Sequence, residues 1–219
     1  TLSLHDALPI SYWGSDYTDA ECEQHLKKIG AKYEVIENRD KALDRTVDYL
    51  MKGSVCGWYN GRFEWGPRAL GNRSIIGDPR RAEMKDIINA KIKFREAFRP
   101  FAPSVLMEKA SEYFDLPNAE KHYPARFMLY VCDVKSKQMP AITHVDNSGR
   151  LQGVVKEYNP DYYGLIKKFG EASGVDCIVN TSFNLKGEPI VETPTNAFNT
   201  FMRSGMDALI MNTKFVVTK

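Results

Sequence analysis

The sequence is poor in the signatures that most nucleotide-binding and hydrolytic enzymes carry. It has no GxxxxGK[ST] loop and no GxGxxG, which excludes the common phosphate-cradling folds by motif. It has no Ser-His-Asp elbow, and no cysteine has a histidine near it in sequence. Cysteine itself is scarce. The four residues, Cys22, Cys56, Cys132 and Cys177, lie far apart with no CxxC pair, which argues against a zinc or disulfide framework. Cys56, Cys132 and Cys177 sit in apolar, strand-like runs and read as reduced, buried thiols of a cytoplasmic protein. No apolar run reaches membrane-spanning length, and no basic-then-apolar leader opens the chain. Internal repeats, low-complexity tracts and long linkers are missing as well.

The chain does have positive charge in one place. Overall it carries only +2 on 219 residues, which attracts polyanions weakly. Residues 61–100 hold ten Lys/Arg against five acids, so this segment is +5 and the remainder −3. Within it, "EWGPRALGNRSIIGDPRRAEMK" mounts Arg68, Arg73, Arg80 and Arg81 among glycines and prolines. Such focusing favours a discrete anion site over a broad nucleic-acid face.

Punctuation marks out the elements. "TDAE" at Thr18–Glu21 is a capping box, and Gly30 is the matching stop. "NRDKALDRTVDYLMKG" sets Leu43, Val47 and Leu50 on one helical face before Gly53, and "SVCGWYN" follows as a short strand. Asp78-Pro79 reads as the start of a third helix burying Met84, Ile87, Ile88 and Ile92. "RFMLYVCDV" and "PAITHV" are strand-like. "PDYYGLIKKFGEASG" is a helix with a glycine stop, "VDCIVN" a buried strand, and Thr193-Pro194 starts a helix ending at Gly205. "DALIMNTKFVVTK" reads as a strand pair turning at Asn212-Thr213. The alternation predicts an α/β domain with a mixed sheet. "TLSLHDALPIS", without an initiator Met or periodicity, resembles adaptor-derived sequence. Residues 1–11 are expected to be a non-native leader and 12–219 the domain, with native sequence lost upstream.

Four polar clusters lie where elements end, the usual ligand position in open α/β sheets. In Arg62–Ser74, glycines let backbone approach a ligand and Pro67 aims Arg68; the plainer reading is a surface loop paired with local acids. In "KIKFREAFRPFAPS", Phe94, Phe98 and Phe101 would anchor while Lys93, Arg95 and Arg99 project, with prolines preventing helix; solvated charges on an amphipathic loop are the alternative. In "THVDNSGR", extended backbone would put His144 and Asp146 on one face, as a metal pair or a structural pair, and a turn at Asn147–Gly149 would deliver Arg150. In "VNTSFNLKGEP", Asn180, Thr181, Ser182 and Asn184 offer hydroxyls and amides for phosphate or carbonyl oxygens, or simply make a turn. Clustered cations without a nucleophile suit phosphoryl or adenylyl transfer.

Four stretches, "GRFEWGPRALGNRSIIGDPR", "KIKFREAFRPFAPSVL", "THVD" with Arg150 and Gln152, and "NTSFNLKGEPIVETP", resemble in order the C-terminal domain of the O-carbamoyltransferases of antibiotic and nodulation-factor biosynthesis. The likeness covers roughly Tyr12–Lys219. It implies an α/β fold, a single YrdC-like domain with a twisted mixed sheet flanked by helices. It also implies binding of ATP, with magnesium, and of carbamoyl phosphate, to make carbamoyl adenylate with release of pyrophosphate and inorganic phosphate. By motif position, Lys93, Arg99, Arg150 and Ser182 would be catalytic, with Arg68 and Asn180 binding nucleotide or carbamoyl phosphate. Arg73, Arg95, His144, Thr181 and Asn184 are further binding candidates from the same clusters, and no metal ligand is expected in this domain. In that family a separate N-terminal, Kae1-like domain holds an iron-type metal and passes the carbamoyl group to a hydroxyl. Its HxxxH does not occur in this sequence, so the chain alone is expected to lack the transfer step. "DNSGR" also departs from the family's usual form, like "DGTAR". An RNA-binding module of the same fold is the alternative, with acids interleaved at Glu64, Glu83 and Glu96 arguing against it.

Overall fold

Thr18 starts the first helix as its capping box requires. In the computed structural model, which describes residues 11–94, 96, 99 and 101–219, its hydroxyl accepts the Glu21 N–H (3.3 Å) while the Glu21 carboxylate accepts the Thr18 N–H (2.8 Å). Helix α1 covers Asp19–Lys28, with Gly30 leaving at φ +66°. Asn38 caps α2 (Arg39–Met51), which buries Leu43, Val47 and Leu50. The short α3 (Met84–Ile88) and α4 (Ala110–Tyr113) follow. Pro160 opens α5 (Pro160–Ser173) and Gly174 closes it at φ +77°, while Thr193 caps α6 (Pro194–Arg203).

The strands are β1 (Tyr33–Val35), β2 (Cys56–Tyr59), β3 (Arg73–Gly77), β4 (Ala102–Leu106), β5 (Cys132–Asp133), β6 (Ser148–Gly149), β7 (Gln152–Val154), β8 (Cys177–Ser182), β9 (Ala208–Met211) and β10 (Phe215–Val217). Eight of them form one mixed sheet in the order β1-β10-β9-β2-β3-β8-β4-β7, and β5 pairs with β6 apart from it. Only β2/β9 and β4/β7 are parallel among the described pairs. Alternating side chains feed two cores. Trp58, Ile76, Ile178 and Ile210 meet Leu50, Tyr162 and Phe169 from α2 and α5, while Ile75, Val179 and Leu209 meet Leu26 of α1 and Phe201 of α6. The expected α/β mixed sheet flanked by helices is thereby borne out.

Several local expectations were wrong. "RFMLYVCDV" is mostly not strand: Tyr123–Phe127 is a 3-10 turn, Met128 turns left-handed at φ +56°, and pairing is confined to Cys132–Asp133 and a single bridge from Val134 to Phe114. "PAITHV" holds a 3-10 turn at Pro140–Ile142. The third helix begins at Met84, because Asp78 accepts the Arg80 N–H (2.9 Å) and pairs with its guanidinium (2.7 Å) instead of capping a helix. Met84, Ile88 and Ile92 are buried as expected, and Ile87 is half-buried. β1, β3, β4, β6 and β7 were not foreseen, β6 lying where a turn was expected; β4 keeps Pro103 within the strand. Among the described residues all four cysteines are free; Cys132 is half-buried, not buried. Thr1–Ile10, Arg95 and Phe98 lie outside the described residues. Of the expected leader only Ser11 is described, its carbonyl accepting from the Trp65 N–H (2.8 Å).

Candidate anion-binding active site

One end of the sheet gathers the expected residues. Antiparallel pairing sets the C-terminal end of β8 beside the starts of β3 and β4, with Ser74 opposite Ser182 and Ala102 opposite Asn180. β7 begins at the same end, at Gln152, two residues after Arg150. Three adjoining cavities open there. The first, about 120 Å³, is lined by Pro67, Arg68, Met128, Arg150, Asn180 and Ser182, among others. The second, about 350 Å³, takes Lys93, Arg99, Thr181, Ser182, Asn184 and Lys186. The third, also about 350 Å³, takes Arg99, His144, Asp146, Ser148 and Arg150. Thr181 and Ser182 join the first two, Arg150 joins the first to the third, and Arg99 joins the second to the third. The three are neighbours that share lining residues.

Charge in the first cavity is of one sign. Among the described residues no acid lines it, and Arg68 and Arg150 both do. Burial, and after it the Arg68 charge, hold Arg150 below the usual guanidinium range, and its Nε finds no partner among the described residues. Arg68 makes no hydrogen bond or ion pair with any described residue. Two arginines without a carboxylate between them cost energy that a bound anion would relieve. By contrast, Arg99 is exposed and pairs with Glu96 (3.1 Å).

Asn180 forms part of the floor. Its Nδ2 donates to Ala69 O (3.1 Å), Ser104 Oγ (3.0 Å) and Gln152 Oε1 (2.9 Å), leaving the buried Oδ1 unpartnered among the described residues. Ser104 and Gln152, which orient this amide, were not among the site candidates, although both stand in the stretches that carry the family resemblance. They sit inside β4 and β7, and only the sheet register brings them beneath Asn180. Lys186 was also missed, although it stands in the quoted "NLKGEP".

Lys93 and Phe94 exchange their expected places. Residues Asn89–Lys93 continue α3 as a π-helical turn in spite of the prolines downstream, and Phe94 ends it left-handed at φ +46°. Lys93 is therefore turned inward and buried, while Phe94 is exposed and Phe101 supplies the anchor. The Lys93 ammonium donates to Ser182 O (2.6 Å), Asn184 O (3.0 Å) and Asn184 Oδ1 (2.7 Å), with Ser182 Oγ at 3.3 Å. Ser182 Oγ donates in turn to Asn184 Oδ1 (2.7 Å). The lysine thus shapes the loop that leaves β8.

His144 and Asp146 share the third cavity, but through a turn and not through extended backbone. The Asn147 N–H reaches His144 O (3.0 Å) with Asn147 at φ +63°, and Ser148–Gly149 is already strand when Arg150 follows. Hydrogen bonds from the Ser148 hydroxyl and N–H hold the Asp146 carboxyl below the usual carboxylate range. Among the described residues no group of three or more His, Cys, Asp or Glu side chains could hold a metal ion.

Arg73 stands apart from these cavities. Fully buried at the start of β3, it lies over the Tyr59 ring (3.8 Å to the centroid) and donates through Nη1 to Asn60 O, Gly61 O and Asn72 O. Arg80 is bound to Asp78 and Ser173 O, and Arg81 to Met51 O. Of the four arginines in "EWGPRALGNRSIIGDPRRAEMK", only Arg68 lines the site. A larger cavity of about 490 Å³ holds Arg39 and Arg62 but also Asp16, Asp19 and Asp161, and Arg39 is paired with Asp161. Its mixed charge suits a polyphosphate poorly.

Comparison with known proteins places the chain in a family. Residues 47–219 match the family model described as the carbamoyltransferase C-terminus. The nodulation protein NolO of Bradyrhizobium diazoefficiens is 41% identical over 215 residues, a match covering 98% of this chain and 39% of that protein. The 3'-hydroxymethylcephem-O-carbamoyltransferase of Amycolatopsis lactamdurans is 38% identical over 149 residues, covering 68% of this chain and 28% of the enzyme. The chain therefore spans well under half the length of the curated relatives it matches. Full-length HypF, crystallised in a phosphate- and nucleotide-bound form, superposes with a TM-score of 0.57 at 15% identity, over 82% of this chain and 22% of HypF. At that identity the likeness speaks to the fold alone. On the extent of the family match and the identity to NolO, the chain belongs to the carbamoyltransferase C-terminus family.

Proposed function

We propose that this chain is the ATP- and carbamoyl-phosphate-binding part of an O-carbamoyltransferase and that it forms carbamoyl adenylate. The observation that carries the reading is the cavity that Arg68, Arg150, Asn180 and Ser182 line together with no acid among its described lining residues. Water would split carbamoyl phosphate into carbamate and inorganic phosphate, and a carbamate oxygen would attack the α-phosphorus of ATP and expel pyrophosphate. Arg68 and Arg150 are suited to the phosphate oxygens on which negative charge gathers, in a confined space where such charge interacts strongly. Arg99 stands at the mouth of the second cavity, long enough to follow the polyphosphate outward. Lys93 serves by fixing Ser182 and Asn184, whose oxygens it binds, so that Ser182 and Thr181 present their hydroxyls at the junction of two cavities. Magnesium would arrive on the triphosphate, since the described residues offer no cluster to hold it, and no step here depends on it. The name of the cephem enzyme supports a hydroxyl as the final acceptor. That transfer, and the N-terminal domain expected to perform it, fall outside the residues of this chain.

Arg150→Ala is the test. Pyrophosphate release from ATP that depends on carbamoyl phosphate should fall by about a hundredfold or more, with the melting curve unchanged. Undiminished release in that variant sinks the site assignment.

A further inference from the structure

Arg68 is exposed and has no hydrogen-bond or ion-pair partner among the described residues, yet the backbone that follows it is held by several hydrogen bonds. Glu64 is the reason. Its side chain is buried, and Oε1 accepts three backbone N–H groups from the far side of the loop: Leu70 (2.8 Å), Asn72 (2.7 Å) and Arg73 (3.1 Å). The carbonyls of the same stretch are held from other elements. Ala69 O accepts from Asn180 (3.1 Å), Leu70 O from Gln152 (2.7 Å) and Tyr12 (3.1 Å), and Gly71 O from Trp58 (2.8 Å). Each of those carbonyls meets a neutral donor, whereas the three N–H groups converge on one carboxylate oxygen. Burial raises the Glu64 carboxyl above the usual carboxylate range, while the Arg73 charge and these three N–H bonds pull the other way. The carboxylate closes a ring from residue 64 to residue 73 with Pro67 and Arg68 at its open side.

We propose that Glu64 is the positioning residue of Arg68: by gathering the Leu70, Asn72 and Arg73 amides it sets where the guanidinium stands opposite Arg150. Glu64 touches no cavity of the site and acts only through the loop. The inference rests on the reading of Arg68 and Arg150 as a phosphate-binding pair. Misplacing a charged group by an ångström or so costs about a hundredfold in rate, so losing the carboxylate should cost nearly as much as losing the arginine.

The test uses this chain with ATP and carbamoyl phosphate and compares Glu64→Gln, Glu64→Asp, Glu64→Ala, Arg68→Ala and the Glu64→Ala/Arg68→Ala double variant. Amide hydrogen exchange is measured beside pyrophosphate release. Glutamine keeps an acceptor oxygen at the same reach and should retain protection of the three amides and most of the activity. Aspartate, one methylene shorter, and alanine should lose the protection and lower release toward the Arg68→Ala level. The double variant should be no worse than Arg68→Ala alone, because a residue acting through another adds nothing once that other is gone. Multiplying losses in the double variant would overturn the proposal, as would unchanged protection at Leu70, Asn72 and Arg73 in Glu64→Asp. If Glu64→Ala fails to fold, the aspartate variant and an Arg68→Ala/Glu64→Asp pair carry the same comparison. Should the unaltered chain release no pyrophosphate, the functional reading fails by itself. The exchange data then still decide whether Glu64 holds the loop.

Discussion

Arg68, Arg73 and Arg150 show how far identical side chains diverge once their surroundings differ. Arg150 is half-buried beside a like charge, and both burial and Arg68 disfavour its charged form. An arginine tolerates this because its free value lies above about 12, whereas lysine starts near 10.4. In Arg150→Lys, burial and Arg68 would lower the ammonium further, so the charged form is lost as pH rises. Calorimetric titration with carbamoyl phosphate should show affinity falling between about pH 8 and 10 in the variant while the unaltered chain stays level. A flat profile in both would mean that the ligand does not lean on this charge. Arg73 leads to the opposite expectation. Arg73→Met keeps the bulk over Tyr59 but strands carbonyls that Nη1 satisfied. It should lower unfolding free energy by about 2–4 kcal/mol in urea denaturation and spare ligand affinity in the folded fraction. Loss of affinity at unchanged stability would restore Arg73 to the binding set.

At the scale of elements, the loop from Glu64 to Arg73 uses glycine for two different reasons. Gly66 and Gly71 both have positive φ, +108° and +102°. A Cβ on Gly66 would meet nothing within 4 Å, but one on Gly71 would fall 2.3 Å from the Tyr162 ring. Tyr162 cannot move aside easily, since its hydroxyl donates to Ser104 Oγ (3.0 Å) in the network beneath Asn180. Gly66→Ala should therefore cost about 1–3 kcal/mol of backbone strain, and Gly71→Ala about 1–3 kcal/mol more from overpacking. Urea midpoints for the two variants check the difference; equal losses would mean the ring yields. The well-punctuated helices, α1, α2, α5 and α6, could be read directly because caps and glycine stops act within a few residues. The segment Tyr123–Ile142 misled the sequence reading, since its apolar residues enter 3-10 turns with no period of their own.

For the whole molecule, the local excess of positive charge ends up divided. Arg73, Arg80 and Arg81 serve the fold, and Arg99 is paired with Glu96, so the concave end presents few free cations instead of a basic face. An RNA-binding module would need many phosphate contacts and would weaken steeply with salt. The chain should show no gel shift of single-stranded RNA at about 0.15 M salt, where the Debye length is about 8 Å. A retained complex that ATP fails to displace would favour the RNA reading.

What the sequence determined unaided was the family, through four ordered stretches, and the α/β alternation, through caps, stops and apolar periods. These signals are local, or are carried by residue identity. It could also nominate Arg68, Arg150, Asn180 and Ser182, which the register of β3, β8, β4 and β7 then brought to one end of the sheet. Only the tertiary structure could tell a ligand-facing arginine from one bound into the core, or send Lys93 inward and Phe94 outward. Whether a cation is free depends on which carbonyls and carboxylates reach it, and those partners can lie far along the chain, as with Lys93 and Ser182 (89 residues apart). Pairing over such distances leaves no period and no spacing in the chain, so it becomes visible only when the sheet is closed.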